Sequence, residues 1–191
     1  MTFKQKIIAK VQERNKCQNC SLFGKTVVVY DRLYKKGLCD ILFIGINPGK
    51  DEAIQGKPFI GRSGQILRKT LEEVGLLKKY NVAFTNAILC STPNEKEIPD
   101  VKTCIENCSF LVHKIFKKLN PKLFVPVGAN CATYVFGMKG SITNHSGYVL
   151  PDKDNVIPII HSASLLYSHN EQTKAKFVNS LKRIKQYLDS Q

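Results

Sequence analysis

The chain has 191 residues, 43% of them hydrophobic, and 29 Lys plus Arg against 15 Asp plus Glu give a formal net charge of +14. That length and apolar content suit one domain, 1–191, with its own core. They exclude a membrane-spanning protein, because no apolar run reaches bilayer length. The expected location is intracellular, since Met1 to Lys16 is a Lys-rich amphipathic segment lacking the apolar stretch and cleavage site of a signal peptide.

In chain order, short apolar runs alternate with amphipathic stretches, the pattern of a mainly parallel α/β sheet. Residues 40–45 (D-I-L-F-I-G) read as a buried strand, followed by the turn Gly45-Ile46-Asn47-Pro48-Gly49. Ser63 to Val74 has helical spacing at Ile66, Leu67, Leu71 and Val74, closed by Gly75. Residues 82–86 form a second strand and Ile105 to Leu119 a basic amphipathic helix stopped before Pro121. Residues 123–127 form a third strand, leading through Gly128 into a helix over 129–136. Residues 156–160 form a fourth, delivering His161, and Glu171 to Leu188 closes the fold as a long helix. Pro93 to Pro99 and Gly137 to Asp154 read as loops.

Basic pairs at Lys35-Lys36, Lys78-Lys79, Lys117-Lys118 and Lys182-Arg183 spread the charge along the chain. A phosphate backbone is one partner this suits, and plain solvation explains it equally well. Cys17 and Cys20 form a C-x-x-C pair, with Cys90, Cys104 and Cys108 farther along. Thiols gathered from distant segments suit a metal or iron–sulfur site better than a disulfide framework; zinc and ordinary buried thiols are the alternatives. Cys39 and Cys131 lie beside apolar strands and read as small buried hydrophobes. Ligands of open parallel sheets bind at the carboxyl ends of strands, where Asn47, Asn86 and His161 fall.

Residues 56–67 (G-K-P-F-I-G-R-S-G-Q-I-L) resemble the G-x-P-F-V-G-x-A-G-x-L-L segment of family 4 uracil-DNA glycosylases. Residues 85–90 (T-N-A-I-L-C) resemble that family's T-N-V-V-K-C, Val127-Gly128-Ala129 its sheet-to-helix turn, and residues 161–166 (H-S-A-S-L-L) its H-P-S-x-L-L. The likeness runs from about Cys17 to the last helix. It implies a three-layer α/β/α fold around a central four-stranded, mainly parallel sheet. It also implies a 4Fe-4S cluster on Cys17, Cys20, Cys90 and Cys108, and base excision from single- or double-stranded DNA by a monomer without membrane association. Cys104 is the alternative fourth ligand; Cys108 is favoured because its interval to Pro121 and Gly128 matches the family's. A cytoplasmic, nucleoid-associated location follows.

The resemblance also assigns roles. His161 would hydrogen-bond uracil O2 as charge develops, and Phe59 would stack on the flipped base. The Asn86 amide offers one donor and one acceptor to O4 and N3–H, a polarity cytosine reverses. Gly45 and Ile46 would line the base pocket, and Leu165, Leu166 and Tyr167 are candidates for a wedge in the duplex. Motif one departs from the family: Ile46 stands at its acidic position. The string Gly45-Ile46-Asn47-Pro48-Gly49 resembles instead the G-I-N-P-G of mismatch-specific uracil and thymine glycosylases, which gives water positioning to Asn47. Glu52 is the nearby auxiliary carboxylate. Ser162-Ala163 replaces the family's Pro-Ser. Two alternatives stay open: a glycosylase for hypoxanthine or for G·T and G·U mismatches, and a catalytically weak DNA-binding member of the fold.

Overall fold

The computed structural model describes residues 1–92, 98, 100–167 and 170–191. In chain order the elements are α1 (Phe3–Glu13), α2 (Asn15–Gln18), β1 (Tyr30–Arg32), β2 (Ile41–Gly45), α3 (Lys50–Gln55), α4 (Arg62–Glu73), α5 (Leu76–Lys79), β3 (Val82–Asn86), α6 (Val101–Leu119), β4 (Leu123–Pro126), α7 (Ala129–Phe136), α8 (Ile142–His145), α9 (Ser164–Tyr167) and α10 (Glu171–Asp189). The strands form one sheet in the order β1-β3-β2-β4. β2 runs parallel to both β3 and β4, and β1 pairs antiparallel with β3. This is the expected α/β/α architecture with a four-stranded, mainly parallel sheet.

Every residue of β2 and β3 is buried, which is why both strands read as unbroken apolar runs. Side chains alternate between the two faces. Ile41, Phe43, Val82 and Phe84 join Leu67 and Leu71 of α4 and Phe177, Leu181 and Ile184 of α10 in one core layer. Leu42, Ile44 and Ala83 join Ile7 and Val11 of α1 and Leu111 and Ile115 of α6 in the other. Among the described residues no helix is long and apolar enough to cross a membrane.

Three elements differ from the sequence reading. The run at 156–160 lies beside β4 only through parallel bridges, Phe124 to Val156 and Val127 to Ile159. Pro126 carries no N–H, so the ladder is interrupted between its two bridges. The fourth strand is instead β1, a three-residue edge whose Y-D-R sequence carries no apolar alternation. α6 starts at Val101 rather than Ile105, because the Asp100 side chain accepts the N–H of Thr103 and caps a turn that the apolar pattern does not mark. Of the expected Pro93–Pro99 loop, only Ile98 lies among the described residues.

Phe177, fully buried where α10 meets the sheet, sets the scale of this packing. Phe177→Ala is expected to cost about 3–5 kcal/mol in urea unfolding; a loss below about 1 kcal/mol would show that α10 is not a core element.

Candidate active site

A cleft of about 730 Å³ opens at the carboxyl ends of β2 and β3. It brings together Gly45, Ile46, Asn47, Glu52, Phe59, Asn86, His161, Leu166 and Tyr167, site candidates from the sequence, and its lining also includes Lys50, Asp51, Arg62, Ser63 and Ala163. Leu165 is not among its lining residues and packs against the core layer of α4 and α10.

The cleft is built around register. Gly45 and Asn86 are partners at the ends of adjacent parallel strands. A Cβ on Gly45 would come within 2.5 Å of Asn86 Oδ1 and 2.9 Å of Phe59 Cζ, so only glycine lets the amide and the ring close over this point. Asn86 is 3% exposed, and among the described residues its Nδ2 has no hydrogen-bond partner. A buried donor left unpaired costs about 1–3 kcal/mol, a standing cost that a ligand acceptor would remove. Ser162 Oγ is also buried and unpartnered among the described residues, but Ser162 is not a lining residue of the cleft.

Phe59 takes φ +55, in the left-handed region, which disfavours a bulky residue. Neighbours hold it there. Arg68 donates Nε to Phe59 O at 2.7 Å and Nη2 to Pro58 O at 2.9 Å, and pairs with Asp31 at 2.8 Å. Glu52 Oε1 accepts the N–H groups of Ile60 at 3.0 Å and Gly61 at 2.8 Å, closing the turn at the start of α4. Gly64 permits the approach, since a Cβ there would lie 2.2 Å from the Phe59 carbonyl carbon. The Phe59 ring leans on Phe84 at 5.5 Å. Arg68 carried no signal in the sequence, where it is one more cation on an amphipathic helix. The acidic residue at 52 was visible, but its partners were not.

His161 is fixed by its own loop. Ala163 N–H donates to His161 Nδ1 at 3.0 Å, so the neutral ring carries its proton on Nε2. Burial lowers its pKa from the ordinary 6.5, which keeps the ring neutral at pH 7. Gly128 at φ +90 leaves room for the ring; a Cβ there would stand 3.2 Å from Cδ2. Asn47 donates Nδ2 to Pro48 O at 3.0 Å and to Thr92 Oγ1 at 2.7 Å. Tyr167 is 79% exposed, and it lines the cleft with the half-buried Leu166.

The cysteines converge on the opposite side of the sheet from α4. Cys17, Cys90, Cys104 and Cys108 are buried in the core layer of α1 and α6, and Cys20 packs against it. Cys20 Sγ lies 3.7 Å from Cys104 Sγ, which also meets Ser21 Oγ at 3.7 Å. Burial pushes the Cys90 thiol up to about 12, with Cys108, Cys20, Cys17 and Cys104 adding to the rise as neighbouring acids. Burial likewise raises Cys108 to about 12. Among the described residues no group of three or more His, Cys, Asp or Glu side chains is arranged to hold a single metal ion. A sulfur-only donor set from three separate segments is chemically suited to an iron–sulfur cluster, and to zinc as well. Cys39 and Cys131 are fully buried, as expected of packing residues.

A family model described as the uracil DNA glycosylase superfamily matches residues 33–185. A Type-4 uracil-DNA glycosylase of Sulfurisphaera tokodaii is 31% identical over 81% of this chain and 73% of its own length. One of Saccharolobus solfataricus is 29% identical over 93% and 84%. One of Thermotoga maritima is 28% identical over 98% of each.

Gly45→Ala is expected to lower turnover about a hundredfold, because Asn86 and Phe59 must shift by around 1 Å to admit the methyl group. Turnover within about twofold of the parent would show that the Gly45 contact is not what shapes the pocket.

Proposed function

The chain belongs to the uracil DNA glycosylase superfamily, and we propose that it excises uracil from DNA in base-excision repair, leaving an abasic site. The observation that carries this reading is Asn86: a buried amide whose Nδ2 lacks a partner among the described residues, beside an aromatic floor, in the lining of a strand-end cleft. Uracil extruded from the helix would lie on Phe59, with O4 accepting from Nδ2 and N3–H donating to Oδ1. Cytosine presents an amino donor and a bare N3 there, leaving both pairings reversed. The activity for which the relatives are named agrees with this substrate.

Chemistry then needs a stabilised leaving group and a placed water. The C1′–N1 bond breaks with its electron pair going to the base, and the charge on O2 is met by the Nε2–H of His161. Asn47 has both amide hydrogens engaged, so its Oδ1 is the atom left to accept a water proton and aim the oxygen at C1′. The water's proton leaves to solvent as the alcohol forms, since an amide is no base. Glu52 serves through the Ile60–Gly61 turn that frames Phe59. Leu166 and Tyr167 would fill the gap left by the extruded nucleotide, with Leu165 anchoring them to the core. Lys50 and Arg62 at the cleft rim and the net charge of +14 suit the phosphate backbone.

Cys17, Cys20, Cys90 and Cys108 would hold a 4Fe-4S cluster, with Cys104 the neighbouring fifth thiol. When bound, the cluster supplies cross-linking of α2, α6 and the segment after β3 rather than chemistry at the sugar. A monomer acting in the cytoplasm on nucleoid DNA is the working form.

The deciding experiment is base release from end-labelled oligonucleotides carrying one uracil, single-stranded or opposite G or A, read by alkaline cleavage. Scission at uracil and none at cytosine is the expected result. Tight DNA binding without scission at uracil, hypoxanthine or thymine would leave a binding protein.

His161→Ala should reduce the excision rate about 10²–10³-fold with DNA affinity retained. In the parent, the rate should hold from pH 9 down to about 7 and fall only below 6.5, because protonating the ring puts a hydrogen on Nδ1 against the Ala163 N–H. A folded-state pKa below the unfolded one also means stability is lost as pH drops through that same range. An acid limb unchanged in the alanine variant would assign it to another group.

A further inference from the structure

Thr92 lies outside the set of side chains that would touch a flipped base, yet it holds one of them. Its Oγ1 accepts from Asn47 Nδ2 at 2.7 Å, and its backbone N–H donates to Pro48 O at 3.2 Å, the carbonyl that also accepts from Asn47 at 3.0 Å. Thr92 is 1% exposed, so no water competes for these contacts. The amide thus has one orientation that satisfies it. Flipping it would set Oδ1 against the Pro48 carbonyl, two acceptors facing each other, and would turn Nδ2 toward the position where water is needed. Pro48 alone fixes the sense of the amide; a second acceptor, on a different segment, fixes its plane.

That second segment descends directly from the thiol cluster. Cys90, Ser91 and Thr92 are consecutive, all buried, and Ser91 N–H is tied to Thr26 O at 2.9 Å. We infer that Thr92 is a positioning residue that locks the Asn47 amide with its oxygen toward the cleft, so that the cysteine-bearing segment after β3 orients the attacking water. This rests on the reading of Asn47 as the water-positioning group. It gives motif one a support for its amide that neither the G-I-N-P-G string nor the strand ends supply.

The test is single-turnover uracil excision by the parent, Thr92→Val, Thr92→Ser, Asn47→Ala and the Asn47→Ala/Thr92→Val pair, with DNA affinity measured in parallel. Thr92→Val removes the hydroxyl and should slow the chemical step about tenfold without weakening DNA binding. Thr92→Ser keeps the acceptor and should stay within about twofold of the parent. In the Asn47→Ala background, Thr92→Val should change nothing further, because there is no amide left to position. Thr92→Ala carries the same cycle if valine disturbs the fold, as read by circular dichroism. Full activity of Thr92→Val, or an equal loss with and without Asn47, would overturn the inference while leaving the Asn47 reading in place. Full activity of Asn47→Ala would overturn both.

Discussion

Gly45 and Asn86 stand opposite each other at the ends of two parallel strands, and the missing side chain at one makes room for the amide at the other. Slipping either strand by one residue would turn Asn86 into the opposite core layer, because side chains alternate faces with period two. The burial of Phe43 and Phe84 on one face and Leu42 and Ala83 on the other forbids that slip. The ordinary packing of a buried parallel sheet therefore fixes the position of the polar group at its end.

Three further cleft residues are held by contacts within the protein. Arg68 and Glu52 grip the backbone around Phe59, the Ala163 amide selects the tautomer of His161, and Pro48 with Thr92 orients Asn47. Each contact is made before any ligand arrives, so little reorganisation is left for the reaction itself. Asn86 is the exception: among the described residues its buried Nδ2 is left without a partner. Such a group is expensive in a folded protein and is explained most simply as the point of recognition. The absence of an acid at position 46 is consistent with a site that stabilises a departing anion and guides a water.

Much of this was legible in the sequence. β2, β3 and β4 are short buried apolar runs, α4 and α10 have helical apolar spacing, and Asn47, Asn86 and His161 stood out as polar residues at strand ends. β1 escaped because a three-residue edge strand reading Y-D-R leaves no periodic trace. The run at 156–160 misled because its composition is that of a strand, while Pro126 removes a donor that its ladder with β4 would need. Arg68 and Thr92 escaped for another reason. Each acts through contacts 9 to 45 residues away in the chain, and no local pattern records a hydrogen bond to a backbone carbonyl or to a distant amide. The five neighbouring thiols of the α1–α6 layer were visible as cysteines, but their common burial was not.

The proposed recognition of the base by Asn86 can be tested directly through the side-chain ¹⁵N–¹H resonances of its amide, assigned by their loss in Asn86→Ala. The titrant is a DNA oligonucleotide carrying 2′-fluoro-deoxyuridine, whose fluorine disfavours the cationic sugar and keeps the bond intact. A downfield shift of one Nδ2 proton on binding, absent with the deoxycytidine counterpart, is the predicted result. A saturated complex with uracil DNA in which the Asn86 amide does not move would contradict it, and the pocket at the Gly45–Asn86 strand ends would not be where the base is read.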